Sequence, residues 1–429
     1  MTADSSNPTE SARLPSIPRL GAKASVAVLA VALTVRLAAV AVTDPTRAHF
    51  GDAPPYQMAA RMIADTGRYP FRTDPHYFRA PGYPAFLALV TAGRPERVVA
   101  AKVANVIVGS LAAVVLAAIS ARLFRRRDLA LATGIAAALN PAFVLVSSEV
   151  QSEPLFMLML LAAGWLLLVA VDRPSSNVGV AGGIGLGLSA LVRPSAIAVV
   201  PLLAAPLADR RYPPRIRLHL AGSAALGFVL SVAPWTLRNA LVYREFIPIS
   251  DVGGFNFFLG NSEQMLRFFQ VQSRRGYDLW AVETDRMIDN RMKELNARGI
   301  SSPAAVTREL VRETMDNGAR HPGLIARLLA HKSWDWFRPY PNPYYWPRAV
   351  VVPVAILYAA LYVLAARGLL VAPRRGVALF CLLVLLASMA AHVLTVVSWR
   401  YRIPYWDPVL LLYAPAGAML RLSGRPSHI

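Results

Sequence analysis

The sequence has a single cysteine, Cys381, so it can form neither an intramolecular disulfide nor a cysteine pair for zinc. It has no phosphate-cradling Gly-x-x-x-x-Gly-Lys loop, no His-Glu-x-x-His pair and no Gly-x-Ser-x-Gly elbow. No nucleotide-binding domain is read in these residues, which argues against ATP-driven transport. Charge is scarce as well. Only 16% of residues are Asp, Glu, Lys or Arg, while 55% are hydrophobic, and the mean hydropathy is +0.42. A soluble globular chain is less apolar than that. There is no internal repeat.

What is abundant is apolar runs of near-membrane length. A hydrocarbon core of roughly 30 Å needs about twenty apolar residues in a helix. Runs over 24–43, 98–121, 129–147, 154–171, 178–192, 195–208, 218–236, 349–366, 377–397 and 408–420 predict about ten transmembrane helices in an all-α polytopic membrane protein. The two runs around Arg193-Pro194 are short and also read as one broken helix. The first run exceeds a signal-peptide core, so an uncleaved helix is expected there. Arg36, deep within it, must snorkel or face protein. Gly179, Gly183 and Gly187 recur every fourth residue and form a helix-packing face.

The formal net charge is +20. Its placement assigns it to topology rather than to nucleic acid. "RLFRRRD" (122–128), "DRRYPPRIR" (209–217) and "RGLLVAPRRG" (367–376) alternate with nearly neutral connections. The positive-inside rule then makes the tails, 1–23 and 421–429, cytoplasmic. Helices 1–7 occupy 24–236, interrupted by an extracytoplasmic loop at 44–97. A larger extracytoplasmic loop covers 237–348, and the C-terminal helices cover 349–420. The 237–348 loop holds amphipathic patterns: "DLWAVETDRMIDNRMKELNARG", with Leu279, Val282, Ile288, Met292 and Leu295 at helical spacing, and "SSPAAVTRELVRETMDNGARHPG", with a Ser cap and a first-turn Pro. "LIARLLAHKSWDWF" suits a helix on the bilayer surface.

Acids and arginines gather at the outer ends of the spans: Asp52, Glu149, Glu153, Arg79, Arg193, Arg238, Arg400 and Arg402. A carboxylate can take the proton of an attacking hydroxyl. Guanidinium groups fork onto phosphate oxygens and stabilise a departing phosphate. Each residue also has a plainer reading. Asp52 can cap the helix that starts at Pro54-Pro55. Glu149 and Glu153 can be solvated, or a first-turn acid in the case of Glu153. The arginines can anchor lipid headgroups. His76 and the tyrosines at 56, 77 and 83 read as interface aromatics.

The stretch "FGDAPPYQMAARMIADTGRYPF…HYFRAPGYPAFLALV" resembles the first extracytoplasmic loop of the GT-C glycosyltransferase superfamily, and specifically the protein mannosyltransferase and aminoarabinose-transferase-like group. The matching positions are Asp52, Tyr56, Arg79, Pro81, Gly82, Tyr83 and Pro84. In that pattern the Arg-x-Pro-Gly-Tyr-Pro stretch opens the second helix. "SSEVQSEPLFMLMLL", "LSALVRPSAIAVVPLL", "PWTLRNALVYREFIPISDVGGFNFFLGN" with Asn261, "ARHPGLIARLLAHK" and "SWRYRIPYWDPVLLL" follow in the group's order, so the resemblance runs from about 20 to 420. Two departures stand out. Ala53 occupies a place where a second acid is common, and no sizeable soluble domain follows the last helix before Ile429.

The resemblance implies a GT-C fold and an inverting transfer of a sugar from a polyprenyl-phosphate donor to a protein, lipid or glycan hydroxyl. It implies Asp52 as general base, with Glu149 and Glu153 as the other candidate carboxylates. Tyr56, Arg79, Tyr83, Arg193, Arg238, Asn261, Arg400 and Arg402 would bind substrate. No cofactor is assigned, since one acid without an adjacent acid is a thin ligand set for a divalent ion. Membrane lipids are expected partners, and nucleic acid is not. Ala- and Arg-rich usage points to a bacterial plasma membrane. Two other classes share parts of the pattern: a flippase or transporter of lipid-linked sugars, and a ligase or polymerase of lipid-linked glycans.

Overall fold

A computed structural model describes residues 20–49, 52–69, 79–209, 211–270, 274–343, 346–372 and 375–420, without the side chains of 208, 274–281 and 375–381. The tails, His76, Tyr77 and the Cys381 side chain lie outside the described residues. Among the described residues every regular element is helical.

Five helices are long and apolar enough to cross a membrane alone: α1 (Ala22–Val42), α4 (Val98–Phe124), α7 (Glu153–Asp172), α9 (Pro214–Tyr243) and α15 (Arg348–Val371). Together α5 (Arg127–Leu139) and α6 (Pro141–Ser147), which bend by 54° about Asn140, are long and apolar enough for a sixth span. The other apolar elements are shorter, so length alone does not establish the expected ten. Between α1 and α4 lie α2 (Ala53–Thr66) and α3 (Gly82–Thr91). The Pro-Gly-Tyr-Pro stretch therefore opens the ten-residue α3, not the long second crossing. Ala92 and Gly93, both with left-handed φ, end it. The Arg193-Pro194 break is real. Helix α8 (Ser176–Val192) stops there, and Pro194–Ala208 continues as a 3-10 helix. Pro201 and Pro206 each remove an N–H that an α-helix would use.

Arg36 faces protein. Pro141 has no N–H to offer the carbonyl of Ala137, and the bend frees that of Ala138 as well. The buried Arg36 guanidinium donates to both, at 3.3 and 2.9 Å, while the Asn140 side chain caps α6 at Phe143. The glycine face does what its spacing predicts. A Cβ on Gly183 would stand 1.9 Å from the carbonyl oxygen of Ala224 on α9, and one on Gly227 would stand 2.0 Å from that of Val180. Without water to drive association, such close backbone approach is what packs two apolar helices.

Beyond α9 the chain forms α10 (Val252–Gly260), α11 (Glu263–Gln270), α12 (Arg274–Ala297), α13 (Pro303–Arg320) and α14 (Pro322–Phe337). Ile288, Met292 and Leu295 of α12 pack on Phe255, Val306 and Leu310. Val282 is exposed instead, and Leu279 falls among the undescribed side chains. Ser302 caps α13 through the N–H of Ala305, with Pro303 in the first turn. Helix α14 is not simply a surface helix, because Leu324, Leu328, Lys332 and Trp336 on it are buried. The chain ends with α16 (Arg375–Leu394), a 3-10 turn at Trp399–Arg402 and α17 (Trp406–Met419).

Candidate active site

Three segments meet at the end of the bundle that carries α2 and α3. They are the start of α2, the link between α6 and α7, and the 3-10 turn before α17. Asp52 occupies the capping position of α2, yet its carboxylate accepts nothing from the helix. It pairs instead with Arg79, at 3.3 Å, and with Arg400. Arg400 also donates to the side-chain oxygen of Gln151. Beside this group, Arg193 lies 2.9 Å from Glu153 Oε1 and donates to Ser152 Oγ at 2.9 Å. The break at Pro194 makes this possible, since it ends α8 and leaves Arg193 on extended backbone.

Aromatic rings separate and stack the cations. The Tyr401 ring lies 5.3 Å from the Arg193 guanidinium and 5.2 Å from that of Arg400. Arg79 lies 4.9 Å from the Tyr56 ring, which meets Tyr83 edge-on. Tyr83 is buried, and its hydroxyl accepts from Asn105 at 2.9 Å. Among the described residues, three guanidiniums thus face two carboxylates. Burial alone would raise the Asp52 carboxyl, but Arg400 and then Arg79 outweigh it and hold it well below the usual carboxylate range. Asp52 is 27% exposed and Glu153 1%, so Asp52 is the acid that an incoming molecule can reach.

Glu149 is adjacent but engaged elsewhere. Its carboxylate lies 3.3 Å from the Lys102 ammonium and accepts from the imidazole of His49 at 2.8 Å. Lys102 is fully buried and also donates to the carbonyl of Asp44. Asn105, three residues on, donates to the carbonyls of Glu149 and Gln151 and so fixes the α6–α7 link. Sequence reasoning missed His49, Lys102, Asn105, Gln151 and Ser152. A lysine and an asparagine one helical turn apart inside an apolar span were the available signal.

Three expected site residues are drawn into other contacts. Arg402 is fully buried. It donates to the carbonyls of Trp336 and Arg338 and to the Tyr362 hydroxyl, and lies 3.3 Å from Asp407. Arg238 stacks over Trp235 and donates to the carbonyl of Tyr69, whose hydroxyl donates to the carbonyl of Arg79. It thereby braces the two ends of the segment between Tyr69 and Arg79. Asn261 ties α10 to the end of α16 through the carbonyl of Leu394 and accepts from the buried Lys332. Among the described residues no three His, Cys, Asp or Glu side chains converge as a metal would need. The nearby acids are held by cations, so the arrangement does not fit a divalent ion.

A cavity of about 480 Å³ lies within the bundle. Its wall is apolar, with Leu160, Leu167 and Val384 among its residues. It reaches from Tyr405, whose hydroxyl bonds Ser195 at 2.7 Å, to Arg125 and Arg211 at the opposite end of the bundle.

A family model described as dolichyl-phosphate-mannose-protein mannosyltransferase matches residues 78–236, a stretch that holds Arg79, Lys102, Glu149, Glu153 and Arg193. No curated protein matches the chain. Among solved structures, the oligosaccharyltransferase AglB from Archaeoglobus fulgidus is similar. In complex with an inhibitory peptide and a dolichol-phosphate it gives a TM-score of 0.52 at 14% identity, with 92% of this chain and 50% of AglB covered. Its apo form gives 0.53 at 16% identity, with the same coverage. ArnT from Cupriavidus metallidurans bound to undecaprenyl phosphate gives 0.43 at 16% identity, covering 92% of this chain and 78% of that one. The chain spans about half the length of AglB. The likeness is one of fold alone, the all-helical GT-C fold.

Proposed function

We propose that this chain is a membrane glycosyltransferase that moves a sugar from a polyprenyl-phosphate donor to an acceptor hydroxyl, with inversion at the anomeric carbon. The observation that carries this reading is a partly exposed carboxylate, Asp52, lying between the guanidiniums of Arg79 and Arg400. The partial family match and the dolichol-phosphate bound by AglB support it. A phosphodiester-linked sugar carries a negative charge, which guanidinium groups complement. The prenyl chain would lie in the cavity, with its phosphate among Arg79, Arg193 and Arg400.

The acceptor oxygen then attacks C1 while the bond from C1 to the phosphate oxygen breaks on the opposite side. The phosphate leaves with the bonding electrons and gains a second negative charge, which the guanidiniums stabilise. The hydroxyl proton passes to Asp52. A carboxylate held by two arginines is a weak base, so binding order matters. The donor phosphate draws Arg79 and Arg400 toward itself, and Asp52 becomes basic only once the donor is in place.

The same reading puts the Asp52 face outside the plasma membrane and the termini in the cytoplasm. Two measurements test it. Proteoliposomes should consume a polyprenyl-phosphate mannose and release polyprenyl phosphate without translocating intact donor; translocation without consumption would make the chain a flippase. A cysteine placed at Glu283 should react with an impermeant thiol reagent added outside cells, and one at Arg126 should not. The reverse pattern would overturn the assigned sidedness.

A further inference from the structure

The transfer leaves a proton on Asp52, partly exposed and paired with arginines, that must be lost before the next turnover. His49 stands three positions before Asp52 on the connection that follows α1, and its ring is 38% exposed. Glu149 holds it twice. Glu149 Oε1 accepts from Nδ1 at 2.8 Å, and Oε2 accepts from the His49 backbone N–H at 3.3 Å. The acid is itself buried and fixed, because Lys102 lies 3.3 Å away and Asn105 donates to the Glu149 carbonyl.

A carboxylate on Nδ1 sets the tautomer, placing the ring proton on Nδ1 and leaving Nε2 as an acceptor. Nε2 has no hydrogen-bond partner among the described residues. The charged groups facing the ring are Glu149 from the α6–α7 link, Lys102 from α4 and Asp44 from its own connection. Two residues after Glu149, Gln151 holds the arginine that pairs with Asp52. One short link therefore holds both the imidazole, through Glu149, and the arginine that pairs with Asp52, through Gln151.

We propose that His49, oriented by Glu149, is the proton exit of the transferase site: Nε2 takes the proton from Asp52 after each sugar transfer and passes it to solvent. The inference rests on the transferase reading above. The balance is simple. The acceptor O–H proton goes to the Asp52 carboxylate, then to Nε2, then to water, and both side chains return to their starting forms. His49 touches neither donor nor acceptor in this scheme. It acts through Asp52, and Glu149 is a positioning residue.

The test uses the full chain in proteoliposomes with a polyprenyl-phosphate mannose as probe, following polyprenyl phosphate release between about pH 5 and 8, a window in which imidazoles titrate. The parent, His49→Asn and Asp52→Asn are compared. The asparagine amide keeps an N–H where Nδ1–H meets Glu149 but has no group that can accept a proton. Turnover by His49→Asn should fall at least about tenfold, below the full range of general acid–base effects, with the donor KM and melting temperature unchanged. The acid limb of the parent profile should flatten, and added imidazole should restore several-fold of the lost rate. A His49→Asn variant with the parent rate and profile, or a loss that imidazole does not restore, would overturn the relay while an inactive Asp52→Asn kept the transferase reading intact. A parent that releases no polyprenyl phosphate would remove both.

Discussion

Arg400 and Arg402 lie two residues apart on one 3-10 turn, and they do opposite things. Arg402 is fully buried, matched by the single carboxylate of Asp407, and boxed by the rings of Tyr358 and Trp399 at 4.7 and 5.1 Å. Asp407 in turn accepts from Tyr358 at 2.6 Å. Arg400 is 18% exposed and pairs with Asp52, itself 27% exposed. A charge matched inside the protein holds the fold together. A partly exposed cluster leaves its charged groups within reach of an incoming molecule. The turn's own geometry makes the split, sending one side chain into the bundle and the other toward the α2 end.

The largest expected effect breaks this comparison directly. Arg402→Ala leaves Asp407 buried without its cation, a change worth about 3–5 kcal/mol. It should abolish a cooperative melt in detergent. Arg400→Ala should melt near the parent temperature, because Asp52 keeps Arg79 and some solvent. If Arg400→Ala unfolds the protein and Arg402→Ala does not, the two roles are reversed.

The next effect sharpens the site itself. Removing a true phosphate ligand should cost about 2–4 kcal/mol of transition-state stabilisation, by analogy with one oxyanion donor. Arg79→Ala and Arg400→Ala should show it in the rate of polyprenyl phosphate release. Arg79→Lys and Arg400→Lys should recover only part, since a point charge cannot fork onto two oxygens. Lysine variants at full rate would reduce these residues to general positive charge.

The smallest effect concerns packing alone. Gly183→Ala forces a methyl against the Ala224 carbonyl and should cost about 1–3 kcal/mol. It should lower the melting temperature while the rate per folded molecule stays at the parent value. A rate loss with an unchanged melt would tie the α8–α9 contact to the site rather than to the bundle.

Much of this was legible in the sequence. Hydropathy locates α1, α4, α7, α9 and α15 because a bilayer demands long apolar runs. The Pro194 break and the glycine face follow from backbone chemistry that the residue types dictate. Asp52, Arg79, Glu153, Arg193 and Arg400 stand out as charges at the ends of apolar spans, and the fold brings them together. Their neighbours were not legible. Nothing local separates Arg400 from Arg402, and Asn261 reads as a loop polar residue until Leu394 and Lys332 close around it. Lys102 and His49 are lone residues in the sequence, and only the fold sets them against Glu149. The number of crossings is the other gap, because short helices such as α3 and α8 are apolar without reaching membrane length.

The central claim is that Asp52 carries the chemistry rather than capping α2. Asp52→Asn is nearly isosteric and keeps an oxygen for a cap while losing charge and basicity. Donor turnover and thermal unfolding of this variant, measured side by side with the parent in detergent, test the claim. The account predicts a rate loss of about 10²–10⁴-fold with a cooperative melt close to that of the parent. A stable Asp52→Asn protein turning over donor at the parent rate would contradict it.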